Sequence, residues 1–268
     1  MDLPFVEEFK TRIGFAKLAT MDQGLGVRAN WDELPKALSA LVKGKRPYSD
    51  STTLWRTGLG IKEYSWQLGE ESLLIQIHVS GRGPLGAQRA FLDRMATSSM
   101  GRLPYELMPG QIGDLAVYYP PDPNNTHLWL YRNVFVYLSN EGKKVDSNAM
   151  ARAIQQFMEA HRVPRLSDHL PVVDQVKLSP KEIHVGDEFK VAIVLGKNTP
   201  LASLDTNFSS PIDPKTKEPE LTYVSRTPLE GTFKAERPGK ATVEVEVMDR
   251  KTLLSPPLSS TVDVLPAR

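Results

Sequence analysis

The chain has no cysteine among its 268 residues. This absence excludes disulfide bonds, thiolate nucleophiles, iron–sulfur clusters and zinc sites built from cysteine. It leaves the compartment open, because cysteine-free chains occur in the cytosol and also among exported bacterial proteins.

An excess of charge of one sign is also missing. Lys and Arg number 33 against 32 Asp and Glu, which leaves a net charge of +1, and like charges form no long block. Proteins that bind nucleic acid or an anionic membrane surface carry a basic patch or stripe. We therefore expect no nucleic-acid partner.

Long apolar runs are missing as well. The hydrophobic stretches are short and interrupted by charged residues, so the sequence predicts no integral membrane segment. The first ten residues, MDLPFVEEFK, have neither the basic region nor the long apolar core of a signal peptide. Either the protein is cytosolic, or the sequence is a mature form whose leader has been removed.

The sequence divides into two regions that differ in the periodicity of their side chains. Residues 1–163 mix helical and strand periodicities and predict an α+β domain. Residues 164–173 place two prolines around a polar stretch, a composition typical of linkers. Residues 174–268 keep no helical period and predict a separate β-sandwich.

The stretch 111–162 organises the prediction for the N-terminal domain. Three strands lie between residues 115 and 138, the last two joined by the pair Arg132-Asn133, and an amphipathic helix follows. An earlier stretch, 63–99, has the same order of strands, polar turn and helix. We therefore predict one antiparallel sheet with helices packed on one face.

The C-terminal part carries period-two patterns. In the runs 189–195 and 241–247, every second residue is apolar. This alternation is typical of a strand with one buried face and one solvent-exposed face. Several further short strands fit between residues 175 and 265, with Pro, Gly, Asn and Asp between them. Six or seven short strands in about 95 residues predict a β-sandwich of immunoglobulin type.

This region also resembles a known family. The segments that carry the likeness are Val176-Lys-Leu-Ser-Pro180, Ile183-His-Val-Gly-Asp-Glu188, Leu221-Thr-Tyr-Val-Ser-Arg226 and Gly231-Thr-Phe-Lys-Ala-Glu-Arg-Pro-Gly-Lys-Ala-Thr-Val-Glu-Val245. Residues 174–265 thereby resemble the bacterial immunoglobulin-like domains of surface and exported proteins. The resemblance implies an extracytoplasmic setting and a spacer, adhesion, or carbohydrate- or protein-binding role without catalytic residues. The Pro-rich insert 197–220 departs from the family pattern and leaves the strand order there open.

The N-terminal part has a resemblance of its own. Ile112-Gly-Asp114 and Leu130-Tyr-Arg-Asn-Val-Phe-Val136, followed by a helix, are similar to uncharacterised exported or lipid-anchored bacterial sensor-type domains. That likeness names no activity. We expect an extracytoplasmic protein, periplasmic or at the cell surface, whose leader has been removed.

The five histidines offer no pattern for a metal. No two of them are spaced i,i+2 or i,i+4, and the H-E-x-x-H motif is absent. The stretch Ser80–Gly86 has G-x-G-x-x-G spacing, but Pro84 lacks the N–H that a phosphate needs, so we interpret it as a turn. The sequence therefore predicts neither a metal site nor a cofactor.

Four residues are the candidates for ligand binding: Trp129, Tyr131, Asp114 and Tyr119. Asp114 is either a general base or ligand contact, or a turn-forming residue that bonds nearby backbone N–H groups. With helices on one face of the sheet, Trp129 and Tyr131 share a face with the aromatic residues of the next strand. That face is core, the default for aromatic side chains, or an exposed platform on which a sugar or peptide stacks.

We predict a non-catalytic exported bacterial protein of binding or structural type, associated with the cell envelope or surface. Its partner is a protein or carbohydrate of the envelope. The alternative is a hydrolase with a site in the N-terminal domain near Asp114, using His127 or His78. A third possibility is a subunit of an envelope assembly that is joined through an open edge strand of either sheet.

Overall fold

The computed structural model of the chain describes residues 4–20, 22, 24–43, 45–54, 58–98, 104–110, 112–122, 124–180, 182–197, 199, 204–211, 221–249 and 253–268. The chain divides into two compact units. Unit 1 is Met1–His169 with Lys251–Leu253, and unit 2 is Leu170–Arg250 with Leu254–Arg268. The change from unit 1 to unit 2 at residue 170 falls inside the predicted linker 164–173.

Unit 1 contains both helices and strands. The described helices are α1 (Pro4–Arg12), α2 (Leu34–Ala37), α3 (Pro84–Ser98) and α4 (Ser147–Ala160), with 3₁₀ turns at Phe15–Thr20, Trp31–Glu33 and Leu166–His169. The strands are β1 (Gly26–Val27), β2 (Tyr48–Leu54), β3 (Leu59–Leu68), β4 (Glu71–Ser80), β5 (Glu106–Leu107), β6 (Leu115–Tyr118), β7 (Thr126–Tyr131), β8 (Val134–Glu141) and β9 (Arg162–Val163).

One antiparallel sheet of seven strands, in the order β2-β3-β4-β8-β7-β6-β5, forms the centre of unit 1. The meander expected from the sequence is present as β6, β7 and β8, each paired antiparallel with the next. β1 and β9 form a small separate pair. The amphipathic helix after the meander is α4, and the Asp146 carboxylate caps it by accepting the N–H groups of Asn148 and Ala149.

Helices cover both faces of this sheet, so the prediction that they pack on one face is wrong. Successive side chains of a strand point to opposite faces, and all six residues of β7 are buried. Leu128 and Leu130 pack with Phe91 of α3 in one apolar cluster, which includes no α4 residue among those described. α4 also contacts β7 and β8, and it therefore covers the face of Trp129 and Tyr131. A sheet that is apolar on both sides needs a helix layer on each.

Unit 2 contains strands only among its described regular elements. They are β10 (Val173–Ser179), β11 (Glu182–His184), β12 (Glu188–Leu195), β13 (Asp205–Ser209), β14 (Leu221–Thr227), β15 (Glu230–Ala235), β16 (Gly239–Met248) and β17 (Leu258–Leu265). They form two four-stranded sheets, β10-β12-β15-β14 and β11-β17-β16-β13, in which only the β11–β17 pair is parallel. The chain as a whole is thus mostly β, with several antiparallel sheets.

The two sheets of unit 2 share one apolar cluster. Phe189 and Phe233 come from the first sheet, and Val243 and Val245 come from the second. Phe208 of β13 joins the same cluster, so part of the predicted insert 197–220 is a strand of the core. Residues 198, 200–203 and 212–220 of that insert lie outside the described residues.

The helices of the chain are short. Within the part of the chain that the structure describes, no helix has the length and apolar character that crossing a membrane requires.

Candidate functional site

A cleft of about 570 Å³ opens in unit 1 where β6 begins, beside the turn between β7 and β8. Glycines with positive φ, Gly14, Gly110 and Gly113, contribute to its wall. The charged and amide side chains of the described lining come from five parts of unit 1: Lys17, Asp114, Arg132, Gln155, Glu159 and Arg162. A cleft of this size suits a small molecule or the end of a larger one.

Arg132 is held in an unusual backbone conformation at this cleft. Its φ is +55°, the one positive value at a described residue other than glycine. The pairing of Tyr131 with Val134 makes Arg132-Asn133 a two-residue turn, and glycine is favoured at the first position of such a turn when φ is positive. The chain therefore keeps an arginine where a smaller residue is easier to accommodate.

Asp114 clamps this turn. Its Oδ2 accepts the backbone N–H of Arg132 at 2.6 Å, and its own N–H donates to the Leu130 carbonyl at 2.7 Å. The Asp114 carboxylate thus accepts a backbone N–H group, which is one part of its interpretation as a turn-forming residue. The partner lies eighteen residues along the chain, not nearby as expected, because β6 and β7 bring the two segments together.

Burial dominates the electrostatics of Asp114. The side chain is 15% exposed, and this desolvation raises its pKa above the usual value for a carboxyl. The Arg132 N–H and the Arg132 guanidinium act in the opposite direction and offset only part of the effect. The carboxylate is therefore held in a setting that disfavours its negative charge.

The Arg132 guanidinium is largely buried and poorly satisfied. Its side chain is 19% exposed, and Nη1 lies 3.7 Å from Asp114 Oδ1. Cζ lies 5.5 Å from the centre of the Tyr131 ring. Among the described residues, the guanidinium donates no hydrogen bond to the protein, and its Nε is buried without a partner. The guanidinium thus carries five N–H donors, and its one ion pair within the described residues is the loose contact with Asp114.

Two of the four candidate ligand-binding residues line the cleft. Asp114 and Tyr131 do so, whereas Trp129 and Tyr119 do not. Trp129 is fully buried, and the half-buried ring of Tyr119 lies 6.0 Å from that of Tyr105. For these residues as a set, ligand binding stays a prediction.

The aromatic residues of β7 and β8 do not share a face. Trp129 pairs with Val136, and Tyr131 pairs with Val134, so Phe135 and Tyr137 point to the opposite side of the sheet. The expected shared face is therefore wrong, because the two-residue turn sets a register that alternates the rings. Trp129 and Tyr131 are core residues, and they form no exposed stacking platform.

The structure separates Asp114 from the two histidines proposed as its partners. His127 pairs with Tyr118, four residues beyond Asp114, which corresponds to about 13 Å along a strand. His78 lies on β4 and pairs with Phe135 of β8. β4 is three strands from β6 in the sheet, which corresponds to about 14 Å. Neither histidine lines the cleft. An Asp–His catalytic pair in the predicted combination is not present.

The burial of His78 leads us to predict that the unfolding free energy of unit 1 depends on pH. Burial, and then the charge of Arg94, lower its pKa to about 4. The unfolded chain binds a proton near pH 6.5 and the folded chain does not, so stability is complete above pH 6.5 and decreases as the pH falls toward 4. We expect unit 1 to lose about 2 kcal/mol of unfolding free energy from this residue between pH 7 and pH 5.

Urea denaturation at the two pH values measures this loss. All four tryptophans lie in residues 31–129, so their fluorescence reports on unit 1. His78→Leu should remove most of the difference between pH 7 and pH 5. An equally large difference in the variant would assign the acid sensitivity to other groups.

Arg132 lines the candidate site and Asn133 supports it, and the sequence interpretation treated both only as turn residues. Asn133 is fully buried. Its Oδ1 accepts the Val27 N–H at 2.6 Å, and its Nδ2 donates to the Ser80 carbonyl at 3.2 Å. One signal in the sequence could have identified both residues: the two-residue turn between two clearly predicted strands contains no glycine.

Two further arrangements were considered from the sequence, a metal site and the glycine-rich stretch before α3. No group of three or more His, Asp or Glu side chains among them is arranged to hold a metal ion. The stretch Ser80–Gly86 forms a tight connection from β4 into α3, in which the Arg82 N–H donates to Ser80 Oγ at 3.2 Å. That geometry agrees with its interpretation as a turn.

Comparisons with known proteins assign no family. No protein-family model matches the chain, and no curated protein matches it. Among solved structures, the chain is similar to a polysaccharide lyase at 9% identity and a TM-score of 0.22, covering 82% of this chain and 36% of that one. It is similar to a gamma-CGTase from alkalophilic Bacillus clarkii at 9% identity and a TM-score of 0.19, covering 82% of this chain and 26% of that one. This chain therefore spans well under half the length of either protein, and the likeness carries no argument about function.

Proposed function

We propose that the chain is a non-catalytic exported bacterial protein of binding type, associated with the cell envelope. Unit 1 is an α+β domain that holds its ligand in the cleft beside Asp114. Unit 2 is an immunoglobulin-like sandwich that acts as a spacer or adhesion module. The proposal rests on one observation above all: the cleft is lined by a mostly buried Arg132 guanidinium that, among the described residues, makes one loose ion pair at 3.7 Å and donates no hydrogen bond.

The strand order of unit 2 supports an immunoglobulin-like sandwich. Immunoglobulin domains place strands A, B, E and D in one sheet and C, F and G in the other. When β10 and β11 are taken as two halves of strand A, the order β10-β12-β15-β14 corresponds to A-B-E-D. The order β11-β17-β16-β13 then corresponds to the second half of A followed by G, F and C.

The bonding of Asp114 supports binding over catalysis. A general base needs a free carboxylate oxygen within hydrogen-bond reach of its substrate. Oδ2 of Asp114 is committed to the Arg132 N–H, and Oδ1, which accepts no hydrogen bond from the Arg132 guanidinium, lies 3.7 Å from that positive charge, which makes the carboxylate a weaker base. The lining residues that the structure describes include no histidine and no serine. The carboxylate therefore serves to hold Arg132 in place.

A hydrolase with its site near Asp114 is the second candidate. The observation that favours it is the raised pKa of the Asp114 carboxyl, since perturbed carboxyl groups in clefts are typical of acid–base catalysis. Glu159 supplies a second carboxylate in the same lining.

One experiment separates the two candidates. The purified full chain is incubated with cell-wall polysaccharide and with envelope peptide fractions, and both retention of the protein and release of new reducing ends or amino termini are measured. Asp114→Asn keeps an oxygen that accepts the Arg132 N–H while it removes the base. We expect retention without product from both proteins.

Product formation by the wild-type chain that Asp114→Asn abolishes would establish the hydrolase in place of the binding module. Asp174→Asn, an exposed carboxylate in unit 2, is the matched control and should behave as the wild type. Absence of both retention and product would overturn the proposed binding function.

A further inference from the structure

We infer that the group bound in the cleft is a carboxylate, which pairs with the Arg132 guanidinium. This inference rests on the proposed binding function of the cleft and adds the chemistry of the ligand. Its source is either an acidic sugar or an amino acid or peptide terminus. The observations that carry it are the backbone of Arg132, the bonding of its side chain and the charges around it.

The backbone conformation favours a role for the arginine side chain itself. A positive φ at a residue with a Cβ costs about 1 kcal/mol or more. Glycine at position 132 would relieve that cost, and the turn requires no side chain there, since Asp114 holds it through the backbone N–H. Arginine at this strained position is therefore explained if its guanidinium binds a ligand.

The side chain has the unfilled capacity that a ligand requires. A buried charge is costly unless hydrogen bonds satisfy it. The Arg132 guanidinium lies along the Tyr131 ring, and among the described residues its one ion pair is the 3.7 Å contact with Asp114. Guanidinium groups match the planar geometry of a carboxylate through two parallel hydrogen bonds. A bound carboxylate supplies the acceptors that the protein withholds.

The balance of charge fits a ligand with one negative charge. The described lining residues include three cations, Lys17, Arg132 and Arg162, and two carboxylates, Asp114 and Glu159. Their difference, three minus two, leaves one positive charge. Glu159 Oε1 accepts the Gln155 Nε2–H at 2.9 Å, which leaves Asp114 as the carboxylate in contact with the Arg132 guanidinium. Asp114 therefore competes with the ligand for the same guanidinium.

Two pairs of small molecules test the inference by isothermal titration calorimetry at low salt. The first pair is glucuronate and glucose, and the second is N-acetylalanine and N-acetylalanine amide. Within a pair only the carboxylate differs, and the two pairs distinguish a sugar from an amino-acid source. We expect the charged member of one pair to bind and its neutral partner to bind at least tenfold more weakly.

Variants of the turn connect the binding to Arg132. Arg132→Gly should lower the affinity for the carboxylate at least tenfold without lowering the Tm, because glycine accepts a positive φ without strain. Asp114→Asn should raise the affinity several-fold, because it removes the competing charge. Arg89→Gln, at a side chain that is 80% exposed on α3, should leave the affinity unchanged.

Several outcomes overturn the inference. Equal binding of the charged and neutral members of a pair would rule out the carboxylate as the recognised group, while the proposed binding function would still stand. Binding by neither pair, or by inorganic phosphate alone, would also reject the carboxylate, and retention by envelope fractions would then decide the binding function separately. Wild-type affinity in Arg132→Gly would reject Arg132 as the contact. If that variant does not fold, Arg132→Asn, which tolerates positive φ, replaces it.

Discussion

Gly113→Ala should lower the unfolding free energy of unit 1 by more than about 3 kcal/mol, a cost at the upper end of single substitutions. Gly113 has a φ of +64°, and a Cβ at this position would lie 2.3 Å from the Leu130 carbonyl oxygen. That oxygen is fixed, because it accepts the Asp114 N–H at 2.7 Å. The added methyl group can be accommodated only if β6 moves away from β7, which breaks this hydrogen bond.

Gly110→Ala is the matched control for this prediction. Gly110 lines the same cleft with a φ of +99°, but no atom lies within 4 Å of its added Cβ. The control should therefore show only the backbone cost of about 1 kcal/mol. Urea denaturation followed by tryptophan fluorescence measures both variants. Equal losses in the two would mean that the close approach to Leu130 contributes nothing.

Asn133→Ala should destabilise unit 1 by about 3 kcal/mol, since it leaves two buried backbone groups without partners at about 1–3 kcal/mol each. These groups are the N–H of Val27 and the carbonyl of Ser80. Among the described residues, Asn133 is the one side chain that bonds to both. The loss of its amide therefore removes a direct link between β1, the end of β4 and the start of β8.

Asn148→Ala provides the comparison for Asn133. Asn148 is exposed in the first turn of α4, and a surface change of this kind alters stability by less than about 0.5 kcal/mol. Thermal unfolding of the two variants, with tryptophan fluorescence as the signal, gives the difference. A similar Tm for both would show that solvent satisfies the Val27 and Ser80 groups in the variant.

Both predictions concern the structure that positions Arg132. Gly113 allows β6 to approach β7, Asp114 accepts the Arg132 N–H, and Asn133 anchors the other half of the turn. The same contacts that stabilise this end of the sheet also hold the guanidinium at the cleft. We therefore expect Gly113→Ala to weaken carboxylate binding as well as stability.

The elements with strong local patterns were predictable. The strands of the meander, α4 and the alternating strand β16 all follow from side-chain periodicity within a few residues of their observed bounds. Each forms with a period that its own side chains specify. β13 was not predicted, because its strand Asp205–Ser209 is short and lies in a Pro-rich insert.

The site itself was predictable only in part. Asp114 and Tyr131 were identified as candidates, and both line the cleft. Arg132 was interpreted as a turn residue, because nothing in its neighbours indicates that its φ is positive. The histidine partners proposed for Asp114 were misplaced. His78 lies three strands from β6, and His127 pairs with β6 four residues beyond Asp114, and neither the strand order nor the register can be deduced from local periodicity.

The sequence by itself determined the helices and strands with strong side-chain periodicity, the change from mixed to purely strand-like periodicity near residue 164 and the absence of cysteine chemistry. These properties depend on composition and on residues close together in the chain. Only the tertiary structure decided that helices cover both faces of the sheet and that Trp129 is core. It also decided that Arg132 stands at a cleft, since its clamp by Asp114 and the bond from Val27 to Asn133 join residues 18 and 106 positions apart. Such contacts depend on register and packing, which local periodicity does not specify.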